Sequence, residues 1–290
     1  MMKKIVVCLC IMSGVLVFGT APAFTLGDAL QKLNDPEMQK NLGIGKKMLE
    51  SSQEISEPQE IEIGEGITSR LLGAAPLVHD DALQKYVNRI GLWLALQSER
   101  PGLPWRFGVT NDADVNAFAT PGGSILITRG LYMKFRNEAE LAGVLAHEIS
   151  HVVQKHQLKA IKSALGREWQ TDLAATYAEK KGSGSAKTGL KAFTAGTELF
   201  ARGLDKEDEF EADRMGVVIA ARAGYNPFGL AGTLQTLDAV SPGDGAVALM
   251  FKTHPSPAKR LEMLGTAMGT QMDQYGDTGK DPARFYKLTK

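Results

Sequence analysis

The segment His147-Glu148-Ile149-Ser150-His151 holds the residues of this 290-residue sequence whose types and spacing could most directly do chemistry. Catalysis by a zinc ion needs three neutral or anionic protein ligands, one open position, and a base beside a water placed there. On a helix, residues four apart are rotated by only about 40° and rise about 6 Å, so His147 and His151 project from one face and can reach one ion. Glu148 stands at the rim of that face, where it can touch the water without binding the ion. Two ordinary helix histidines would instead leave titratable rings without partners inside an apolar stripe of Ala, Val, Leu and Ile, which is costly.

A third ligand must come from elsewhere. His156 lies nine residues after His147, one short of the spacing at which a third histidine of the same segment binds zinc, and Gln154 stands where that pattern needs glycine. On a continuing helix His156 points about 180° away from His147, so it reads as a capping or surface histidine. The remaining candidates are acidic: Asp205, Glu207, Asp208, Glu209, Glu211 and Asp213 crowd one predicted helix. Such a run is ordinarily a solvated face. Glu209 and Asp213, however, share a side at a spacing of four, and small Ala212 permits close approach to the histidine helix. One of the two could bind metal while the other orients a histidine ring.

The elements that must position these residues follow from periodicity. Apolar positions Leu141, Val144, Leu145, Ile149, Val152 and Val153 predict a long helix from Glu138 to about Leu165 that carries the histidines. Helices are also predicted near Glu60–Leu72, over Asp80–Leu96, Asp205–Ala223 and Pro257–Met268. Three short strands are predicted at Trp105–Thr110, Val115–Ala119 and Ser124–Thr128, separated by Asn111-Asp112 and Pro121-Gly122-Gly123 turns. The fold class is therefore α+β, mainly helical, with a small three-stranded sheet beside the histidine helix. The last strand reads as an edge that holds a substrate in extended form, with an ordinary inner strand as the alternative: Ser124, Ile125, Leu126 and Ile127 offer backbone pairing, and Gly122 and Gly123 allow close approach. Residues 166–204 read as two amphipathic pieces around Gly182-Ser183-Gly184-Ser185, either a mobile cover or a surface helical hairpin.

Composition sets the outer bounds. At 43% hydrophobic residues the chain can bury a substantial core, and 33 basic against 33 acidic residues give no excess that points to nucleic acid. Lys3 and Lys4 followed by the apolar run Ile5–Phe18 and then Ala21-Pro22-Ala23 have the form of a secretory signal peptide cleaved after Ala23. That run is short of the roughly 20 residues of a membrane-spanning helix. Both cysteines, Cys8 and Cys10, lie in the leader, so export alone argues for the periplasm. The expected organisation is a signal peptide at 1–23, an N-terminal helical arm at 24–58 broken by Pro36 and Pro58, a domain carrying the HEISH centre at 59–270 and a polar tail at 271–290.

The run Asn116–Gly123, then Asn137-Glu138-Ala139-Glu140-Leu141 leading into HEISH, then Glu209-Phe210-Glu211-Ala212-Asp213, and finally His254-Pro255 with Arg260, resembles the zinc peptidases of the HtpX and CaaX-prenyl-protease family. Its soluble LoiP-, BepA- and Oma-like branch looks closest, without the membrane helices of HtpX or the helical repeats of the BepA-like members. The resemblance implies a gluzincin-type fold, one zinc ion held by His147, His151 and Glu209, Glu148 as base and Asp213 as the carboxylate behind a ligand. It also puts His254 and Arg260 near the metal cleft. A neutral His254 could fill the open position and block water. Displaced or protonated, it could donate to a developing oxyanion, with Arg260 adding positive charge. A loop histidine capping the next helix is the plainer reading of His254.

The leading expectation is an endopeptidase acting on unfolded or misassembled envelope polypeptides. A zinc-stabilised chaperone with little proteolysis is the alternative, against which Glu148 argues because a purely structural site would more often be closed by four protein ligands. An exported zinc hydrolase of non-peptide substrates is a third reading that HExxH alone leaves open.

Overall fold

A computed structural model of the chain describes residues 55–161, 163, 203–240, 245–275 and 284–288. The expected leader, most of the expected arm, and the 166–202 part of the segment read as a cover or hairpin lie outside the described residues.

Helix α1 spans Glu57–Ala74. It starts earlier than the sequence pattern suggests, because Pro58 sits in its first turn, where a missing N–H costs nothing, and so opens a helix instead of breaking an arm. Helix α2, Asp81–Ala95, is capped by Asp80, whose side chain accepts from the Leu83 N–H. Strands β1 (Arg106–Thr110), β2 (Ala117–Thr120) and β3 (Ser124–Thr128) then form one sheet. Its order is β1-β3-β2, with β3 parallel to β1 and antiparallel to β2.

That order corrects the reading of Ser124–Ile127 as an edge. β3 is paired on both sides and every one of its residues is buried, which its run Ile125-Leu126-Ile127 suits. Gly122 and Gly123 serve the turn into it. Both have positive φ (79° and 106°), and a side chain on Gly122 would come within 2.6 Å of the Ile61 backbone of α1. They let α1 lie on the turn; they do not bring in a ligand.

A short helix α3, Arg129–Tyr132, leads to α4, Glu138–Val153, which begins at an Asn137 cap. From Ala139 to Val152 every residue of α4 is buried, so it is the central helix of the domain, enclosed on all sides. Leu141, Leu145 and Ile149 are wholly buried, each contributing about 1.5–3 kcal/mol relative to exposure. Helices α5 (Lys206–Arg222), α6 (Gly229–Asp238), α7 (Ala248–Thr253) and α8 (Pro257–Met268) complete the set. The periodic pattern anticipates α5 and α8 but not α6 or α7.

Two further corrections concern chain breaks. The predicted helix to Leu165 stops at Val153: Lys155 takes φ 58°, and helical geometry resumes at His156. The expected polar tail is in part core. Phe285 is buried and stacks on Tyr132 at 5.4 Å, and the Tyr286 hydroxyl donates to Asp80.

Candidate metal centre

Helices α4 and α5 carry the centre between them. They can approach because Gly216 of α5 faces α4 at His147; a Cβ there would lie 2.9 Å from the His147 backbone nitrogen. Ala212, one turn earlier, is also wholly buried. This close packing sets Glu209 opposite both histidines. His147 Nε2 and His151 Nε2 are 3.1 Å apart, with Glu209 Oε2 3.7 Å from the first and Glu209 Oε1 3.5 Å from the second.

Those spacings test whether an ion fits. A tetrahedral site with metal–ligand bonds of 2.0–2.2 Å has ligand–ligand edges of about 3.3–3.6 Å, close to the three distances here. Glu209 is wholly buried, yet its Oε1 has no hydrogen-bond partner. A buried carboxylate oxygen without a donor is costly unless a cation takes that place. The donor set is also right: two imidazoles and one carboxylate whose ligand atoms lie within 4.8 Å of one another. The residues fit a metal ion.

Each histidine is oriented from behind. His147 Nδ1 lies 2.9 Å from Asp213 Oδ1, which fixes the proton on Nδ1 and turns the Nε2 lone pair toward the centre. Asp213 is in turn gripped by Arg260 of α8, whose Nε donates to Oδ2 at 2.9 Å and whose Nη2 donates to Oδ1. Burial raises the Asp213 carboxyl, but Arg260 and His147 outweigh it and hold the group well below the usual range. His151 Nδ1 lies 2.9 Å from His156 Nδ1.

His156 is therefore not a surface or capping histidine: it is wholly buried behind a candidate ligand. The break at Gln154–Lys155 turns the chain, cancelling the 180° that an unbroken helix would impose. No glycine or proline marks that break, so the sequence carries no signal for it.

Glu148 and His254 face the cleft beside the centre. The cleft is lined by Asn116, Ala117–Ala119 of β2, Glu148, His151, Gln157, Gly203, Leu204, Glu209, Thr253 and His254. Burial pushes the Glu148 carboxyl up, only partly offset by His147, His254 and Arg260. His254 Nδ1 lies 2.6 Å from Glu209 Oε2, and 17% of its side chain is accessible. Ser256, not His254, caps α8. Burial alone lowers the His254 ring, but Glu209 outweighs it and holds the group above its ordinary value. His151, lowered by burial against the opposing pull of Glu209, stays neutral as a ligand must.

Arg260 is brought to the centre but not to the cleft surface: Nε and Nη2 are engaged on Asp213, and Nη2 also lies 3.3 Å from His147 Nδ1. Two of its nitrogens hold Asp213, and Nη2 also lies 3.4 Å from His147 Nε2, which sets its charge beside the centre. Gly216 and His156 are the two residues of the centre that sequence reasoning missed. Gly216 was readable in principle, since it follows Ala212 on the face that carries Glu209 and Asp213.

A family model described as Peptidase family M48 matches residues 81–267. The beta-barrel assembly-enhancing protease of Escherichia coli (strain K12) is 32% identical over 206 residues, which is 70% of this chain and 42% of that protein. The mitochondrial metalloendopeptidase OMA1 of Arabidopsis thaliana is 30% identical over 192 residues, 66% of this chain and 37% of that protein. Metalloprotease LoiP of Escherichia coli (strain K12) is 30% identical over 174 residues, 60% of this chain and 67% of that protein. The chain thus spans less than half the length of the first two of these relatives.

Proposed function

The chain belongs to peptidase family M48, and from that premise we propose that it is an exported zinc endopeptidase of gluzincin type acting on unfolded or misassembled envelope polypeptides. The observation that carries this reading is the pairing of an open three-ligand centre, His147, His151 and Glu209, with a buried carboxylate, Glu148, on the same cleft. A structural metal site would have no use for that base. The leader-like first 23 residues favour export to the periplasm. Among the described residues no helix is long and apolar enough to cross a membrane. One relative is named for β-barrel assembly, which supports envelope proteins as the substrate class.

A zinc ion held by His147, His151 and Glu209 would supply Lewis acidity toward the scissile carbonyl. Glu148 accepts a proton from the attacking water on its carboxylate and delivers it to the departing amine, so that the carboxylate is restored at the end of the cycle. Its raised proton affinity suits both halves of that task. Asp213 keeps the His147 ring in the tautomer that presents Nε2 to the centre, and His156 can accept the His151 Nδ1 proton so that His151 presents Nε2 as well. With β3 enclosed, the extended substrate is assigned to the side of β2, the outer strand of the sheet that lines the cleft.

His254 is assigned to control. Tied to Glu209 by a 2.6 Å hydrogen bond, it competes with an ion for that carboxylate and lines the cleft. His254→Ala is then expected to raise turnover; a fall in turnover with unchanged KM would return it to transition-state binding.

The test of the main reading is incubation of the zinc-loaded mature protein with an unfolded outer-membrane protein, with fragments read by mass spectrometry. Glu148→Gln is expected to keep one zinc in the centre and lose cleavage by several orders of magnitude. Binding without cleavage by the wild type would favour the chaperone alternative.

A further inference from the structure

A second group of metal-ligating side chains lies among the described residues: His156, Asp208 and Glu211, whose ligand atoms fall within 4.8 Å of one another. Asp208 and Glu211 are three apart on α5 and partly exposed, with side-chain exposures of 24% and 43%. Alone, they would be an ordinary solvated face. His156 changes that reading. It is wholly buried, its Nδ1 is engaged with His151, and its Nε2, aimed at the two carboxylates, makes no hydrogen bond. Nε2 lies 3.4 Å from Asp208 Oδ1 and 3.6 Å from Glu211 Oε2. Both are long for a hydrogen bond, and both match the 3.1–3.7 Å spacings of the inner centre.

We propose that His156, Asp208 and Glu211 form a second binding site for a divalent transition-metal ion, open to solvent beside Glu211 and antagonistic to the inner centre through the His151–His156 contact. One imidazole and two carboxylates suit zinc, cobalt or manganese; calcium and magnesium favour oxygen donors alone. Water would complete the coordination. Lys159 also acts on the His156 ring, and the two carboxylates outnumber it.

The antagonism follows from counting protons, and it rests on the inner centre being a metal site. A neutral imidazole carries one N–H. With an ion on His151 Nε2, the His151 proton sits on Nδ1 and is donated to His156 Nδ1 across 2.9 Å. His156 then carries its own proton on Nε2, the atom the outer ion requires. With an ion on His156 Nε2, its proton must move to Nδ1, and two N–H groups would face each other. Each ion therefore favours the opposite direction of one hydrogen bond. Losing that bond weakens the second ion about tenfold, and by linkage the effect is reciprocal.

The test is equilibrium dialysis of the metal-stripped full chain against zinc, with bound zinc counted by elemental analysis and circular dichroism as a check on folding. The wild type is expected to hold two ions, the weaker of which disappears in the double variant Asp208→Asn, Glu211→Gln. Glu209→Gln is expected to keep the outer ion and bind it about tenfold tighter than the zinc-filled wild type does. A wild type that holds a single ion at about 1 mM free zinc, lost on Glu209→Gln, overturns the outer site, as does a folded double variant that still holds two. A single ion lost in the double variant leaves the outer site standing and removes the inner one. Equal outer affinity with and without the inner ion overturns the antagonism.

Discussion

Asp213→Asn removes a charge and turns one acceptor into a donor at the point where His147 and Arg260 meet. In the wild type Oδ1 accepts from His147 Nδ1 at 2.9 Å and from Arg260 Nη2, while Oδ2 accepts from Arg260 Nε at 2.9 Å. An amide has one accepting oxygen. Placed toward His147, it leaves its NH2 against the Arg260 Nε–H. Turned over, it sets NH2 against His147 Nδ1, whose proton must then move to Nε2 and occupy the lone pair that would face an ion. Asp213 and Arg260 are 2% and 7% exposed, so water cannot mend either arrangement. Two costs follow. A guanidinium left buried without its counter-ion destabilises the metal-free protein by about 3–5 kcal/mol. Loss of the fixed tautomer weakens metal binding by about 10–100-fold. The sign with pH is set by the depressed carboxyl: its contribution is present above the unfolded-state value and lost only as pH falls through the lower folded-state value, so the stability gap should persist from pH 8 down to pH 5. Urea denaturation of the metal-free protein measures the first cost, and competition with a chromophoric chelator measures the second. An unchanged denaturation midpoint together with a metal affinity within twofold of wild type would refute the proton count on which the centre is argued.

Glu209→Gln is expected to lose the inner ion in dialysis, holding one zinc fewer than Glu207→Gln, whose residue lies on the exposed side of α5; the reverse result would mean the wrong acid has been assigned. Gly216→Ala sets a methyl group 2.9 Å from the His147 backbone nitrogen, so α5 must move; a destabilisation of about 1–3 kcal/mol with weakened metal binding is expected, and a neutral outcome in both would show that the helices can give way. Glu60→Ala takes from Arg100 the carboxylate that holds it at 2.8 and 3.0 Å, leaving Glu57 and the Val152 carbonyl as its partners, and frees the Gly122 turn; urea denaturation should show a loss of about 1–3 kcal/mol. Zinc at about a thousand times its Kd should stabilise the folded chain by about 4 kcal/mol, raising Tm by roughly 8–16 °C, and a chelator should reverse it.

The parts of the centre that lie on regular helices were legible from the sequence. His147, Glu148 and His151 needed only the helical repeat, and Glu209 with Asp213 needed only the same repeat on a second helix. The choice between those two acids was not legible from spacing, because both sit on one face; the family resemblance supplied it. In the structure the choice has a physical basis: Asp213 is one turn further along α5, where Arg260 reaches it from α8 and holds both its oxygens. No property of residues 205–213 by themselves contains Arg260.

What the sequence hid are the places where the chain departs from its local period or where the partner is remote. β3 is central because β1 lies on its far side, in parallel, a pairing across residues that no turn dictates; alternation and turn chemistry predict strands well and their order poorly. His156 was misplaced by one assumption, that a helix without glycine or proline continues. Lys155 breaks it in the left-handed region at some cost, and only the packing explains why that cost is borne: the break puts His156 Nδ1 against His151 Nδ1 and Arg100 against the Val152 carbonyl at the helix end. A backbone strain that places a histidine behind a candidate ligand is the kind of local rule-breaking expected where function sets the geometry. It also explains the asymmetry of the two supports. His147 rests on a carboxylate that Arg260 keeps ionised and that can only accept, whereas His151 rests on another imidazole, which can donate or accept. Only the second support can be reversed, and so only the His151 side of the centre can communicate with an ion bound at Asp208 and Glu211.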